Sequence, residues 1–356
     1  MDSVEFSAPG KLVLFGEYAV LFGAPAVVAA VDRRALANFR PSAGNSWEVS
    51  APGLAPSSAQ FEIGPGAEVR WLDEQLGRDT FGLVERLLVG IGKRGFIDLE
   101  ALPTASMTLD TRAFFENDGA EMSKLGLGSS AALTVALASA LEFWADKEPP
   151  AEKRGRLQAL VDLHRGVQGG AGSGIDVAAS FLGGVIRYQL AGDGSVANAT
   201  PLELPEGLRM VFAWTGRAAS TGDFLGRLRA HREEDPSAVN PVLDELGYVS
   251  ASGVSALAAG NTGAFLDQVD VFWSTLDQLG TAIGMPILSN EHQILRRAAE
   301  DCGVRYKPSG AGGGDFGVGF TTDPSAAAKL TDRAGAEGFR ALDLRVDTTG
   351  LTGPAR

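Results

Sequence analysis

Apolar and polar residues alternate along this chain with two periods, one near four residues and one of two. The longest apolar block lies within residues 124–144, where Leu133, Leu137 and Leu141 are spaced four apart with alanines beside them. That spacing predicts an α-helix, and apolar residues on nearly every face predict that it is buried. Because serine is a preferred N-cap, we expect this helix to begin at Ser129–Ser130.

The rest of the pattern predicts a mixture of strands and helices. We expect short strands broken by turns over residues 4–40, loops with a peripheral hairpin over 41–66, and a linker at 146–153. Further strands are predicted at residues 104–115, 183–190, 208–214, 316–321 and 342–346. Helices are predicted at residues 83–91, 157–168, 220–232, 238–259 (broken), 264–283, 291–302 and 325–336. This order favours an α+β class with a split-βαβ unit in the second half and a boundary near residues 190–207.

The segment before the long helix has the chemistry of a phosphate site. Gly126 and Gly128 lead into Ser129 and Ser130, and the first turn of a helix points free N–H groups and its positive dipole end outward. Glycine lets phosphate oxygens approach the backbone, and a serine hydroxyl can bind Mg²⁺. The segment is neither a Walker A loop nor a dinucleotide turn. A capped core helix after a glycine turn is the alternative, and the segment alone does not decide between them.

Composition and charge restrict the possible partners. The chain has 356 residues, enough for two domains, and carries 44 acidic against 31 basic residues, a net charge of −13. Such a charge argues against nonspecific binding to nucleic acid or anionic membranes. An anionic substrate would therefore need local lysine, arginine or Mg²⁺.

The single cysteine and the absence of targeting signals predict a cytoplasmic protein. Cys302 excludes an intramolecular disulfide, fits a reducing compartment and is interpreted as a small buried residue. We find no signal-peptide pattern at the N-terminus and no apolar run of the length of a membrane span. Three histidines and one cysteine do not favour a structural zinc site.

Two charged residues stand at unusual places. Lys11 follows Pro9–Gly10 at the start of an apolar strand, and is either a solvated edge residue or a cation directed into a cleft. Asp176 ends a loop of small residues at 169–174, where the commonest role of an aspartate is to cap a helix. The three loops near residues 126, 172 and 312 either converge on one cleft that holds polyanions or are unrelated tight turns.

Three motifs, spread from residue 7 to residue 320, resemble those of the GHMP kinases. They are Ser7–Lys11 with Gly16–Val20, Gly126–Ala132, and Ser309–Asp315. Within the family, His164 to Ala179, Trp214–Gly216 and the triple glycine before Asp315 are most similar to the enzymes that phosphorylate 5-phosphomevalonate. Mevalonate kinases resemble the same frame but usually have a metal-holding glutamate where this chain has His164, which leaves the second protein ligand of the metal open.

The resemblance implies a two-domain fold and a set of site residues. It implies an N-terminal domain like ribosomal protein S5 domain 2 over residues 1–200, a ferredoxin-like domain over 201–356, and ATP with Mg²⁺ in the cleft. The implied nucleotide-binding residues are Lys124, Gly126, Leu127, Gly128, Ser129, Ser130 and Ala131, with Ser130 as metal ligand. The implied substrate-binding residues are Lys11, Tyr18, Ser173, Gly174, Asp176, Ser220, Gly312 and Gly313. Arg217 is a further possible phosphate contact.

The resemblance also implies a mechanism and its rivals. Asp176 would act as a base or orient the attacking oxygen, and Lys11 would pair with it and stabilise the transferring phosphoryl group. A phosphate acceptor is largely ionised at neutral pH, so Lys11 is expected to matter more than a base. The expected partners are ATP and a small molecule, not nucleic acid or membrane, in a monomer or homodimer. The rivals are mevalonate kinase, another GHMP kinase, or a catalytically silent metabolite sensor of this fold.

Overall fold

The computed structural model describes residues 3–42, 44–53, 57–95, 97–117, 122–148, 150, 152–170 and 172–354. Ala171, in one of the predicted loops, and Pro149 and Ala151, in the predicted linker, lie outside the described residues. The strands are β1 (Val4–Phe15), β2 (Ala26–Pro41), β3 (Trp47–Ser50), β4 (Ser58–Gly64), β5 (Glu68–Trp71), β6 (Ala105–Asp110), β7 (Phe115–Asn117), β8 (Met122–Lys124), β9 (Val185–Leu190), β10 (Val196–Pro201), β11 (Arg209–Trp214), β12 (Arg305–Ser309), β13 (Phe316–Thr321) and β14 (Arg340–Leu342). The helices are α1 (Glu74–Lys93), α2 (Ser129–Trp144), α3 (Lys153–Val167), α4 (Ile175–Leu182), α5 (Thr221–Glu234), α6 (Pro236–Ala258), α7 (Thr262–Ala282), α8 (Asn290–Asp301) and α9 (Pro324–Ala336). The predicted α+β class is confirmed.

The first half of the chain builds an eight-stranded sheet within the described residues. Its order is β10-β9-β2-β6-β3-β4-β5, and β1 pairs antiparallel with β2. The expected hairpin at 41–66 is present as β3 and β4 and joins the main sheet through a parallel pairing of β3 with β6. The buried helices α2 and α4 pack against β1 and β2.

The first strand differs from its prediction. Residues 4–15 were expected to break at Pro9–Gly10, but β1 runs unbroken through both, with a shift of register against β2 between them. A Cβ at Gly10 would lie 2.7 Å from the carbonyl oxygen of Leu127. Glycine therefore stands here because the strand presses against the loop before α2, and not because the chain turns.

The second half builds a four-stranded antiparallel sheet in the order β12-β13-β11-β14. In chain order its elements are β11, the helices α5–α8, β12, β13, α9 and β14, which is the βαββαβ arrangement of a ferredoxin-like unit with added helices. Helix α6 is continuous despite Pro241, where a broken helix was expected. Strand β14 ends at Leu342, and Val346 forms an isolated bridge to Val31 in the first sheet.

The C-terminal segment connects the two sheets. Thr352 pairs with Ser7 in β1. The Arg34 guanidinium donates to the carbonyl oxygens of Ser7 and Gly350 at 2.9 and 2.7 Å, and it pairs with Asp347. A division into domains between residues 200 and 201 would separate Pro201, which pairs with Ile186, from the rest of β10, and it stays a prediction. In the described part of the chain, none of the helices has both the length and the apolar content needed to cross a bilayer.

Candidate active site

A cavity of about 340 Å³ lies between the two halves of the fold. Its walls come from β1, the short turn at residues 17–21, the start of α4, the start of α5 and the loop after β12. The lining residues are Lys11, Val13, Glu17, Tyr18, Val20, Leu21, Gln168, Gly172, Ser173, Ile175, Asp176, Thr221, Gly222, Leu225, Gly310 and Ala311. Lys11 is the only basic residue among these, so negative charge entering the cavity has one ammonium group to meet it.

The glycine–serine loop before α2 borders this cavity at Lys11. The backbone N–H of Lys11 donates to Leu127 O at 2.8 Å, and the Lys11 Nζ donates to Gly126 O at 3.3 Å. A Cβ on Gly128 would lie 3.0 Å from Lys11 Cγ. The lysine stem therefore lies along the loop, and its charge is held between the loop and the cavity.

The start of α2 confirms the predicted helix boundary and corrects the predicted cap. Gly128 is the N-cap, with φ +80°, and no side chain caps the helix. The turn needs a left-handed backbone, which glycine adopts without strain. Ser129 is buried, while the Ser130 hydroxyl lies 3.1 Å from His164 Nε2. The first N–H groups of α2 have no partner inside the helix, which suits an anion.

Asp176 occupies the matching position at the start of α4. Gly174, with φ +80°, is the N-cap, and a Cβ there would lie 2.5 Å from Val161 Cγ1. The Asp176 Oδ1 accepts from the N–H of Val177 at 3.0 Å, and its Oδ2 lies 3.8 Å from His164 Nδ1. The expected ion pair between Lys11 and Asp176 is absent from the described residues, because each side chain is held by its own helix-start loop.

A buried ion pair anchors the loop after β12. Lys307 and Glu17 are fully buried, and Lys307 Nζ donates to Glu17 Oε1 at 2.5 Å and to the carbonyl oxygens of Leu14 and Pro308. Burial raises the pKa of Glu17 and lowers the pKa of Lys307, and the charge of each partner opposes the effect on the other. Glu17 Oε1 also accepts from the N–H of Gly310 at 3.3 Å. The pair thus connects β12, β1 and the glycine loop.

A second buried group holds the far end of this loop. His292 Nε2 donates to Gly314 O at 2.9 Å, and its Nδ1 accepts from the Tyr306 hydroxyl at 2.9 Å. Burial lowers the pKa of His292 to about 4, so the ring is neutral at physiological pH. The carbonyl of Gly314 only accepts, which places the ring proton on Nε2.

Asp315 is a half-buried acid at the end of the third motif, and no role was predicted for it. Its φ is +53°, and its Oδ1 accepts from the N–H of Ala219 at 3.2 Å. A Cβ on Gly126 would lie 2.3 Å from the Asp315 carboxyl carbon. Burial raises the pKa of Asp315, and the nearby charges of Lys11 and Lys124 oppose this shift. Its carboxyl group therefore closes the gap between the glycine loop at 310–315 and the loop before α2.

The structure separates the predicted substrate residues into two groups. Tyr18 and Ser173 line the cavity, and Tyr18 donates its hydroxyl proton to Ala311 O at 2.5 Å. Gly174, Gly312 and Gly313 do not line it, because each packs against a neighbouring residue: Val161, Ile287 and Phe224 respectively. Ser220 is an exposed N-cap of α5, and the residues after it, Thr221 and Gly222, reach the cavity.

Other predicted residues lie outside the cavity. Lys124 is exposed in β8, and Arg217 is exposed and 3.8 Å from Glu291. Gln168, Thr221, Gly222 and Leu225 line the cavity but were not predicted. The residues at the start of α5 could have been predicted from Ser220. A serine before an amphipathic segment is a typical N-cap and marks where a helix begins.

The hydroxyl oxygen of Ser130 fits a magnesium ion that is bound to the nucleotide phosphates. The Ser130 hydroxyl and the Asp176 carboxylate lie on either side of one imidazole ring, at 3.1 and 3.8 Å from its two nitrogens. Mg²⁺ prefers oxygen ligands and is commonly held by one or two protein groups together with substrate phosphates. Because these two oxygens lie on opposite sides of the ring, they cannot both bind one ion at about 2.1 Å. Ser130, next to the nucleotide loop, would hold the ion, which would neutralise charge on the phosphates when bound.

Comparisons with known proteins support the fold and the family resemblance. The model of the GHMP kinases N-terminal domain matches residues 116–184. The phosphomevalonate kinase of Streptomyces sp. strain CL190 is 29% identical, over 91% of each chain. The mevalonate kinase of Thermococcus sibiricus is 27% identical, over 97% of this chain and 96% of the relative. The structure of Streptococcus pneumoniae phosphomevalonate kinase in complex with phosphomevalonate and AMPPNP has a TM-score of 0.74, at 21% identity over 97% of this chain and 100% of that one.

Proposed function

This chain belongs to the GHMP kinase family, and from that premise we propose that it transfers the terminal phosphoryl group of ATP to 5-phosphomevalonate, giving 5-diphosphomevalonate and ADP. The observation that carries the proposal is the position of Lys11, which joins the loop before α2 to the cavity. ATP phosphates are placed on the helix-start loop at 126–131, and the acceptor in the cavity. Lys11 is then the cation shared by donor and acceptor.

The chain's own groups account for the main requirements of phosphoryl transfer. The reaction needs two anions in line and stabilisation of the charge on the transferring group, with little covalent chemistry from the protein. Lys11 supplies positive charge at the junction, and the free N–H groups of α2 hold the nucleotide phosphates. Asp176 orients the acceptor oxygen. Ser130 would hold a Mg²⁺ ion bound to ATP, which would shield the charge of the phosphates.

The charges that line the cavity support a phosphorylated acceptor over an alcohol. The acceptor oxygen of a phosphate is already ionised near pH 7, so it needs a cation more than a base. Lys11 meets that need. For an alcohol, Asp176 would have to remove a proton, and its carboxylate already accepts from Val177 and faces His164. Asp176→Asn should therefore lose little activity if the acceptor is a phosphate.

Mevalonate kinase is the second candidate, because relatives with that name match nearly the whole chain. The deciding experiment measures ADP release with mevalonate and with 5-phosphomevalonate side by side, at equal ATP and Mg²⁺. We expect kcat/KM to be higher for 5-phosphomevalonate. Preference for mevalonate would overturn the proposed substrate. Binding of ATP without turnover of either acid would favour a metabolite sensor.

A further inference from the structure

One imidazole ring lies between the starts of the two glycine-capped helices. His164, near the end of α3, is 2% exposed. Its Nε2 is 3.1 Å from the Ser130 hydroxyl and 3.3 Å from the amide nitrogen of Gln168. Its Nδ1 is 3.8 Å from the Asp176 carboxylate. The ring therefore touches the side chains that stand second in α2 and second in α4.

The neighbours of the ring determine which nitrogen carries the proton. The amide nitrogen of Gln168 is a donor, so the Nε2 that it faces must be an acceptor. A carboxylate oxygen accepts, so a proton on Nδ1 would face the Asp176 Oδ2 at 3.8 Å, a favourable contact that is longer than a hydrogen bond. Both contacts favour the same neutral tautomer, with the proton on Nδ1 and a lone pair on Nε2.

This tautomer fixes the Ser130 hydroxyl. A serine hydroxyl has one proton and two lone pairs, and it rotates to suit its surroundings. Nε2 has one lone pair, and the Ser130 oxygen lies closer to it, at 3.1 Å, than the Gln168 nitrogen, at 3.3 Å, so we expect the hydroxyl proton to point at His164. Both lone pairs of the Ser130 oxygen then remain for ligands on the nucleotide side of the loop, as a metal ligand requires.

We propose that His164 is a positioning residue that orients the Ser130 hydroxyl as a metal ligand while its Nδ1–H faces Asp176. This inference rests on the proposed function for the role of Ser130. The ring acts through Ser130 and does not bind the ion itself. Groups around a metal ligand commonly change metal affinity by about 10–100-fold when they are altered.

The first test reads the tautomer directly in the unaltered protein. The chain has three histidines, so ¹⁵N-histidine labelling gives a spectrum with three rings, and the His164→Gln variant identifies one of them. We expect the ring of His164 to carry its proton on Nδ1. His292 is an internal control, because its donation to Gly314 O requires the opposite tautomer. A proton on Nε2 of His164 would overturn the proposal.

The second test measures Mn²⁺ binding in the presence of a non-hydrolysable ATP analogue. Glutamine can place an acceptor near the position of Nε2, whereas leucine removes it. We expect His164→Gln to bind Mn²⁺ within about threefold of the unaltered protein, and His164→Leu to bind it about 10–100-fold more weakly. Equal binding by all three proteins would overturn the proposal.

A double-mutant cycle separates positioning from packing. If His164 acts through Ser130, His164→Leu should change Mn²⁺ affinity less than twofold in a Ser130→Ala background. Independent losses that multiply would show that His164 only supports the fold, and would contradict the proposal. If the unaltered protein fails to phosphorylate either acid, the proposed function fails. The tautomer and the metal affinities still decide the role of His164.

Discussion

The loops at the starts of α2 and α4 differ from the loop after β12 in how they are held. The first two each place a left-handed glycine, Gly128 or Gly174, immediately before a buried helix, and no side chain caps either helix. The third, at residues 310–315, is held by the buried Lys307–Glu17 pair and by His292. Backbone conformation fixes the first two loops, and buried ionisable side chains fix the third.

The difference has a consequence for charge in the cleft. The helix-start loops present unpaired N–H groups, which interact with an anion at any pH. The third loop depends on groups whose charge states are set by burial, with the pKa values of Glu17 and Asp315 raised and that of His292 lowered. We therefore expect the third loop to respond more strongly to loss of a side chain and to acid.

The largest effect is expected from removing the cation that anchors the third loop. Lys307→Met leaves the Glu17 carboxylate buried without its partner, and such losses cost about 3–5 kcal/mol. Urea denaturation should show a lower midpoint with an unchanged slope.

Glu17→Gln combined with Lys307→Met is the matched control, because a neutral amide can still accept from Gly310 N–H. We expect this double variant to recover part of the lost stability. A loss below about 1 kcal/mol in Lys307→Met would show that the pair does not anchor the loop.

The same contrast explains what the sequence could predict. The glycines and serines at 126–130 lie next to one another in the chain, so the loop and the helix start were predicted from local pattern. Lys307 and Glu17 are 290 positions apart, and no local pattern pairs them. The cap of α2 was predicted as serine because propensity favours it, whereas the turn required Gly128. Lys11 was predicted as a site residue from its place in the motif, but its Nζ donates to Gly126 O and does not pair with Asp176.

The next effect is a loss of stability in acid that depends on His292. Its pKa is about 4 in the folded protein against 6.5 normally, so the unfolded chain binds more protons between these values. The contribution of His292 to the free energy of unfolding is therefore fully present above pH 6.5. It decreases as the pH drops towards 4, by at most roughly 3 kcal/mol. The measurement is unfolding free energy against pH for the unaltered protein and for His292→Gln. Curves that stay parallel between pH 4 and 7 would contradict this assignment.

Loss of the junction cation tests the backbone-held loops. Lys11→Met should lower kcat by at least about 10²-fold, the scale of one transition-state electrostatic contact and about 2.7 kcal/mol. Lys124→Met is the control, because this exposed lysine lies outside the cavity, and we expect a smaller change there. Steady-state kinetics with ATP and the better acceptor provide the measurement. Turnover near normal in Lys11→Met would remove the lysine from the mechanism.

The smallest expected effect is the difference in stability between two glycine substitutions, one from each kind of loop. Gly174→Ala places a methyl group at 2.5 Å from Val161 Cγ1 and forces a left-handed alanine, and we expect a loss of about 2 kcal/mol. Gly310→Ala imposes a similar positive φ but meets no atom within 4 Å, so backbone strain alone should cost about 1 kcal/mol. Thermal unfolding of the two variants checks the order. Equal losses would mean that strain, and not close packing against α3, fixes glycine before α4.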